Sequence, residues 1–282
     1  MIARQQGFTF IEMVVAITVA AIVVGFMALF LVTPVDAYLA QERRTELADS
    51  ANNARRMLAN DIRNAVPDSL RAMTIGTNRA LEMLQVADVA RYRPQGTGGA
   101  PTEELAFGVP GVQQFSLLSP FTKLTTNTNL CGYLVIGPGN PYAFTNVATP
   151  AGTCFQLSNV NAVTQEQPVV MQAPATFPGA GSATRTVFYV AQPVSYVCNL
   201  TAGTLRRFEG YAITANQATH GTEAQLLAQS PRSSLVARDV TDCVFQYSTT
   251  AQHGPLARLT ITFTRNGETL QVFDQVQVEN AL

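Results

Sequence analysis

Histidine and lysine are nearly absent from this chain of 282 residues, which carries two histidines, His220 and His253, and one lysine, Lys123. Two imidazoles 33 positions apart exclude a histidine-rich metal site and a multi-histidine catalytic centre. Charged residues make up 13% and the formal net charge is -1, so no basic surface stands out and no direct nucleic-acid binding is expected. With 47% hydrophobic residues the chain is not intrinsically disordered, and its length allows one large domain or two small ones. Phosphate-binding loops are missing too. The glycine-rich stretches GTGG (96–99) and GAGS (179–182) have no lysine after them and open no helix. His220 and His253 lie in no motif and are expected at the surface or in loops. Asp239 and Asp242 are two acids where calcium wants six to eight oxygens. Asn199-Leu200-Thr201 is formally a glycosylation sequon and nothing else supports it. No metal, no cofactor and no enzymatic activity are expected.

The apolar residues are unevenly spread. Phe8 to Val32 reads FTFIEMVVAITVAAIVVGFMALFLV, 25 residues with a single charge, Glu12. At about 1.5 Å of rise per residue, such a helix spans a hydrocarbon core of about 30 Å. A buried helix of a soluble protein is shorter and shows a polar face. A secretory signal peptide has an apolar core of about 7–15 residues and no carboxylate at its front edge. The run therefore predicts a transmembrane segment over about 8–32.

A carboxylate inside such a run costs a few kcal/mol unless it reaches the interface or finds a partner. Ahead of it stand MIARQQG and the junction Gly7-Phe8-Thr9-Phe10-Ile11-Glu12. This leader, junction and apolar run resemble the class III signal of type IV prepilins and type II secretion pseudopilins. The resemblance implies cleavage after Gly7 by a membrane-embedded prepilin peptidase and methylation of Phe8 as the new first residue. It also implies a role for Glu12 in assembly, pairing with the positive amino terminus of a neighbouring pilin or pseudopilin subunit where the dielectric is low. Gly7, with no side chain, presents the least hindrance at its own peptide bond. Phe10 and Met13 stand where leucine is common in the family, and both keep the run apolar.

Beyond the membrane, Leu47, Ala51, Ala54, Leu58, Ile62 and Ala65 recur at steps of 4, 3, 4, 4 and 3, one face of an amphipathic helix. Thr33-Pro34 is expected to interrupt and bend the helix, and Pro67 to close it. The arginine pairs Arg43-Arg44 and Arg55-Arg56 are interleaved with Glu42, Glu46, Asp49 and Asp61, a solvated helix surface. The expected division is a leader over 1–7, a helix over 8–66 and a head over 67–282.

The head turns to a period of two. Strands are expected at Leu81–Ala87, Leu105–Phe107, Gln113–Leu117, Tyr133–Ile136, Thr186–Ala191, Val194–Cys198 and Thr204–Glu209. The clearest signal is at the carboxyl end. Leu259, Ile261 and Phe263 alternate with threonines, Asn266-Gly267 follows, and Leu270, Val272, Val276 and Val278 alternate again: a hairpin. Four cysteines, Cys131, Cys154, Cys198 and Cys243, all lie in the head, which the topology places outside the cytoplasm. They imply disulfides, and of three connectivities the neighbour pairing Cys131–Cys154 and Cys198–Cys243 is expected. No Cys-x-x-Cys spacing supports zinc.

The fold class is therefore α+β, pilin-like: a long N-terminal helix, transmembrane then amphipathic, on a β-rich head. A head of this size and the stretches 46–71, 198–211 and 235–247 resemble large minor pilins. The nearest are minor components of the mannose-sensitive haemagglutinin pilus and J-type pseudopilins of type II secretion. The resemblance implies a minor structural subunit anchored in the bacterial inner membrane with its head in the periplasm, then taken into a pilus. A secretion pseudopilin, or a tip adhesin or DNA-uptake subunit, are the alternatives.

Overall fold

The computed structural model describes residues 9–98, 103–136, 140–143, 154–177, 181–229, 232–248 and 255–278. Compactness divides the chain into two units, Met1–Asp49 and Ser50–Leu282. The first unit contains the start of one helix, α1 (Phe10–Arg63), and the second contains its end and the whole head. α1 continues through Pro34, so the expected interruption at Thr33-Pro34 is not found. A proline costs a helix one amide donor, and the backbone bonds on either side of it carry α1 across.

Within the second unit, Ala51, Ala54, Leu58 and Ile62 of the expected stripe are buried. α1 stops at Arg63, three residues short of the expected end. The reason is pairing rather than proline chemistry alone. The Val66 N–H donates to the Leu84 carbonyl and the Val86 N–H to the Asn64 carbonyl, so the chain joins a sheet as soon as it leaves the helix. Asp68, at φ 62°, then turns it into the first strand.

Thirteen strands are described. β1 (Arg71–Ile75), β2 (Asn78–Tyr92), β3 (Val112–Ser119), β4 (Asn129–Leu130), β5 (Tyr133–Ile136), β6 (Phe155–Leu157) and β7 (Gln167–Ala175) are followed by β8 (Thr186–Asn199), β9 (Thr204–Glu209) and β10 (Arg232–Arg238). These ten form one sheet in the order β10-β9-β8-β2-β3-β7-β6-β4, with β1 on β2 and β5 on β8. β11 (Val240–Ser248), β12 (Leu256–Arg265) and β13 (Glu268–Gln277) form a second sheet of three. A short helix, α2 (Glu223–Leu227), opens with a Thr222–Gln225 capping box.

The long strands β2 and β8 are the spine. β8 pairs with β2 along almost its full length, with β5 at one end and with β9 at the other. Register shifts between Leu84 and Val86 and between Val86 and Asp88 bend the pair. Pro193 sits within β8 opposite Leu84, which is why the two strands expected at 186–191 and 194–198 are one. Leu105–Phe107 is no strand, since only Leu105 makes an isolated bridge, to Pro94. β1, β4, β6, β7, β10 and β11 fall outside the expected strands. β7 carries Pro168 and Pro174, and β10 lies at a sheet edge and is mostly exposed, so neither shows the clean alternation of a half-buried strand. The terminal hairpin forms as expected: Arg265 pairs with Glu268, and Asn266 and Gly267 both take positive φ, 50° and 82°. A two-residue loop of that conformation matches the twist of the strands it joins.

The main core lies between β2, β3, β6, β7 and β8, around Tyr92, Phe115, Phe155, Phe177 and Tyr189. Cys131 is joined to Cys154, closing the segment that carries β5. Cys198 on β8 is joined to Cys243 on β11, tying the large sheet to the small one. Tyr247 on β11 reinforces that junction by accepting from the Asp68 N–H at 3.2 Å and donating to its carboxylate at 3.3 Å.

Candidate functional site

The amino-terminal site begins with a helix start. Thr9 Oγ1 accepts from the Glu12 N–H at 3.4 Å, and its carbonyl accepts from the Met13 N–H at 3.2 Å. Glu12 thus stands in the first turn, where a carboxylate complements the positive end of the helix dipole. Its side chain is exposed, and no described residue forms an ion pair with it. Gly7 and Phe8 lie outside the described residues. Phe10–Met27 has a mean hydropathy of 2.5, and none of it is buried. Phe10 is 85% exposed and Ile11 69%. The one hydroxyl well inside this stretch, Thr18, satisfies itself by donating to the Val14 and Val15 carbonyls, at 3.0 and 2.9 Å. Such a helix needs lipid or other apolar helices around it.

In the second unit, Asp61 fastens the end of α1 to the sheet. Its Oδ2 accepts from Tyr196 Oη and from Arg207 Nε, each at 2.7 Å, and its carbonyl accepts from Gln85 Nε2 at 2.8 Å. Arg207 also donates to Glu209 at 2.6 Å. Burial and then the Asp61 charge push the Tyr196 phenol up, so it stays a donor. Burial alone would weaken the charged guanidinium of Arg207, but its hydrogen bonds to Asp61 and Glu209 outweigh that and keep it protonated. Removing the carboxylate leaves the buried Tyr196 hydroxyl and the partly buried Arg207 Nε short of an acceptor. Asp61→Ala is expected to destabilise the head by about 2–3 kcal/mol. Thermal unfolding of the full chain in detergent checks this, and a midpoint unchanged from wild type rejects the anchor role.

His220 lies in a loop, as one of the two expectations had it, but not at the surface, being 1% exposed at the end of the 3-10 turn Gln217–Thr219. Its Nδ1 lies 3.3 Å from Glu82 Oε1, and its ring meets Tyr211 edge-on at 4.7 Å. Glu82, on β2, also accepts from Arg71 Nε at 2.9 Å, while Arg71 donates to the Thr214 and Ala215 carbonyls and lies over the Tyr142 ring. Tyr211 Oη and Ser195 Oγ are 2.6 Å apart. Burial first, then the Glu82 charge, pushes the phenols of Tyr142 and Tyr211 well up. The cluster stitches the segment 211–220 onto β1 and β2. His253 lies outside the described residues.

The remaining candidates are also engaged. Within GTGG the amides of Gly96 and Thr97 both donate to the Glu104 carboxylate, at 2.8 and 2.9 Å, so this anion-binding turn is filled by the chain itself. Asp239 is at φ 60° at the corner between β10 and β11, with Arg265 4.0 Å away. No group of three or more His, Cys, Asp or Glu among the described residues is arranged to hold a metal ion. Asn199 ends β8 and donates to Glu223 at 2.9 Å.

Residues 2–28 match the family model described as the prokaryotic N-terminal methylation motif. No curated protein and no solved structure matches the chain. The methylation motif takes in Gly7, Phe8 and Glu12 and most of the exposed apolar helix. Together with that helix it supports a membrane-anchored, type IV pilin-like structural subunit, and it implies processing by prepilin peptidase and assembly with other pilin subunits. Sequence reasoning missed the Asp61 and Glu82 clusters. Their only local signals were an acid on the apolar side of a helix end and an acid within an apolar strand, Leu81-Glu82-Met83-Leu84. Buried carboxylates of that kind demand partners.

Proposed function

We propose that this protein is a minor pilin-like subunit of a type IV pilus resembling the mannose-sensitive haemagglutinin type. The observation that carries the reading is the methylation motif set directly on the apolar stretch Phe10–Met27, no part of which is covered. Prepilin peptidase cuts between Gly7 and Phe8 and Phe8 becomes the methylated first residue. The head lies in the periplasm, where Cys131–Cys154 and Cys198–Cys243 stay oxidised. Assembly draws α1 out of the lipid into a bundle of equivalent helices, exchanging one apolar surrounding for another. Glu12 then neutralises the amino terminus of a neighbouring subunit. The test is genetic and biochemical together: deletion abolishes surface pili while leaving type II protein secretion intact. The converse phenotype would make the chain a secretion pseudopilin.

Glu12→Val separates retention from assembly. Insertion is expected to be equal or better, since a charge leaves the apolar run. Cleavage persists, because Glu12 lies outside the bond that is cut. Incorporation falls by roughly tenfold or more, since an amino terminus buried in the bundle loses its counter-charge. Immunoblots of sheared filaments and of membranes measure the two separately. Normal recovery in filaments would remove Glu12 from the assembly contact.

A further inference from the structure

The small sheet ends in a long, regular strand whose charges, Glu268 and Asp274, lie on its inner face. β13 runs for ten residues, Glu268–Gln277, in unbroken register with β12, and no described strand pairs with its outer side. The other edge strands are shorter or irregular, β1 and β5 having five and four residues. β10 has a register shift between Leu235 and Ala237 and carries Arg232 and Arg238; β11 is shifted between Val240 and Asp242; β4 is two residues long. β13 contains no lysine, proline or glycine and no bulge. Long, regular edges are templates for another strand.

Two observations show that the edge is unfinished. On the outer face Phe273 is 60% exposed in the middle of the strand, beside Thr260 of β12. On the inner face Leu270 and Val272 are only half-buried, whereas Val276 is closed off at 1%. A strand added along β13 would cover Leu270 and Val272 from the side.

We propose that β13 is the contact between two copies of this chain, which pair antiparallel through it with Phe273 opposite Phe273. That register brings Gln271 opposite Gln275, Thr269 opposite Gln277, Leu270 opposite Val276 and Val272 opposite Asp274. No like charges meet: Asp274 already faces Arg55 at 3.5 Å within its own chain, and Glu268 lies beyond the paired stretch. The strand is therefore complementary to itself, as a two-fold contact requires. Opposed aromatic rings and stacked amides are the cross-strand pairs that strengthen antiparallel ladders. A two-fold pair closes on itself and cannot extend, so it is a state of the subunit outside a repeating shaft.

Cross-linking in native membranes tests the register. Full-length Gln271→Cys and Gln275→Cys copies carrying different tags are expressed together and oxidised. Opposed residues are then about 4.5–5.5 Å apart, within reach of a disulfide. The mixed-tag dimer is expected at least tenfold above that of a Gln246→Cys pair on β11, and adding Phe273→Lys to both copies is expected to remove it. A yield no higher than the control overturns the proposal. So does a cross-link indifferent to Phe273→Lys, or one that joins β13 to a different polypeptide.

Discussion

Gly7→Arg is expected to leave the chain entirely as a membrane-retained precursor in cells that carry prepilin peptidase. The residue before the cut must pass close to a catalytic centre, and only glycine brings no side chain there. A guanidinium adds volume and a charge at the membrane surface, where desolvating it costs several kcal/mol. At about 1.4 kcal/mol per factor of ten, a loss of that size stops cleavage on the scale of a cell cycle. Mass spectrometry is the measurement. The wild-type chain should begin at methylated Phe8, the variant at or near Met1, and the variant should be missing from sheared filaments. A wild-type amino terminus at any other residue sinks the processing assignment, and normal cleavage of the variant removes Gly7 from the recognition element.

The second large effect is expected at Cys198 and Cys243. This bridge spans 45 positions against 23 for Cys131–Cys154. Loop-closure entropy then makes it worth about 4 kcal/mol, and the shorter one about 3.5 kcal/mol. It also joins two sheets that otherwise meet through few polar contacts, among them the Tyr247–Asp68 pair. Cys198→Ser with Cys243→Ser is expected to lower the unfolding midpoint of the full chain by about 8–16 °C, and the corresponding change at Cys131 and Cys154 by less. Both cysteines are buried, so the serine hydroxyls add a desolvation cost in the same direction. A shift under about 2 °C, or a larger one from the Cys131–Cys154 pair, would show that the junction of the sheets is held by packing alone.

Elements of short range are legible in the amino-acid sequence. The alternation of Leu259, Ile261 and Phe263 and the Asn266-Gly267 turn predict their hairpin because both signals lie within the elements they form. Ala51, Ala54, Leu58 and Ile62 show their face for the same reason. Expectations failed where a distant residue decides. His220 has nothing in its neighbourhood that marks it as buried, and its partner Glu82 lies 138 positions away. Pro193 reads as a break between strands and is carried inside β8 because β2 pairs along both sides of it. Asp61 is grouped with the acids of a solvated helix surface although it stands beside the apolar stripe, and its partners Tyr196 and Arg207 lie 135 and 146 positions on.

What the amino-acid sequence alone carries is the methylation motif and its apolar run. An apolar run of membrane length, one carboxylate near its start and a glycine at the junction are consecutive, so the motif is legible without the tertiary structure. Only the tertiary structure decides which polar groups are buried, that one disulfide joins two sheets, and that no described strand pairs with the outer side of β13. Those features depend on which strands become neighbours. That choice is made by the summed packing of residues far apart in the chain, which no local period records.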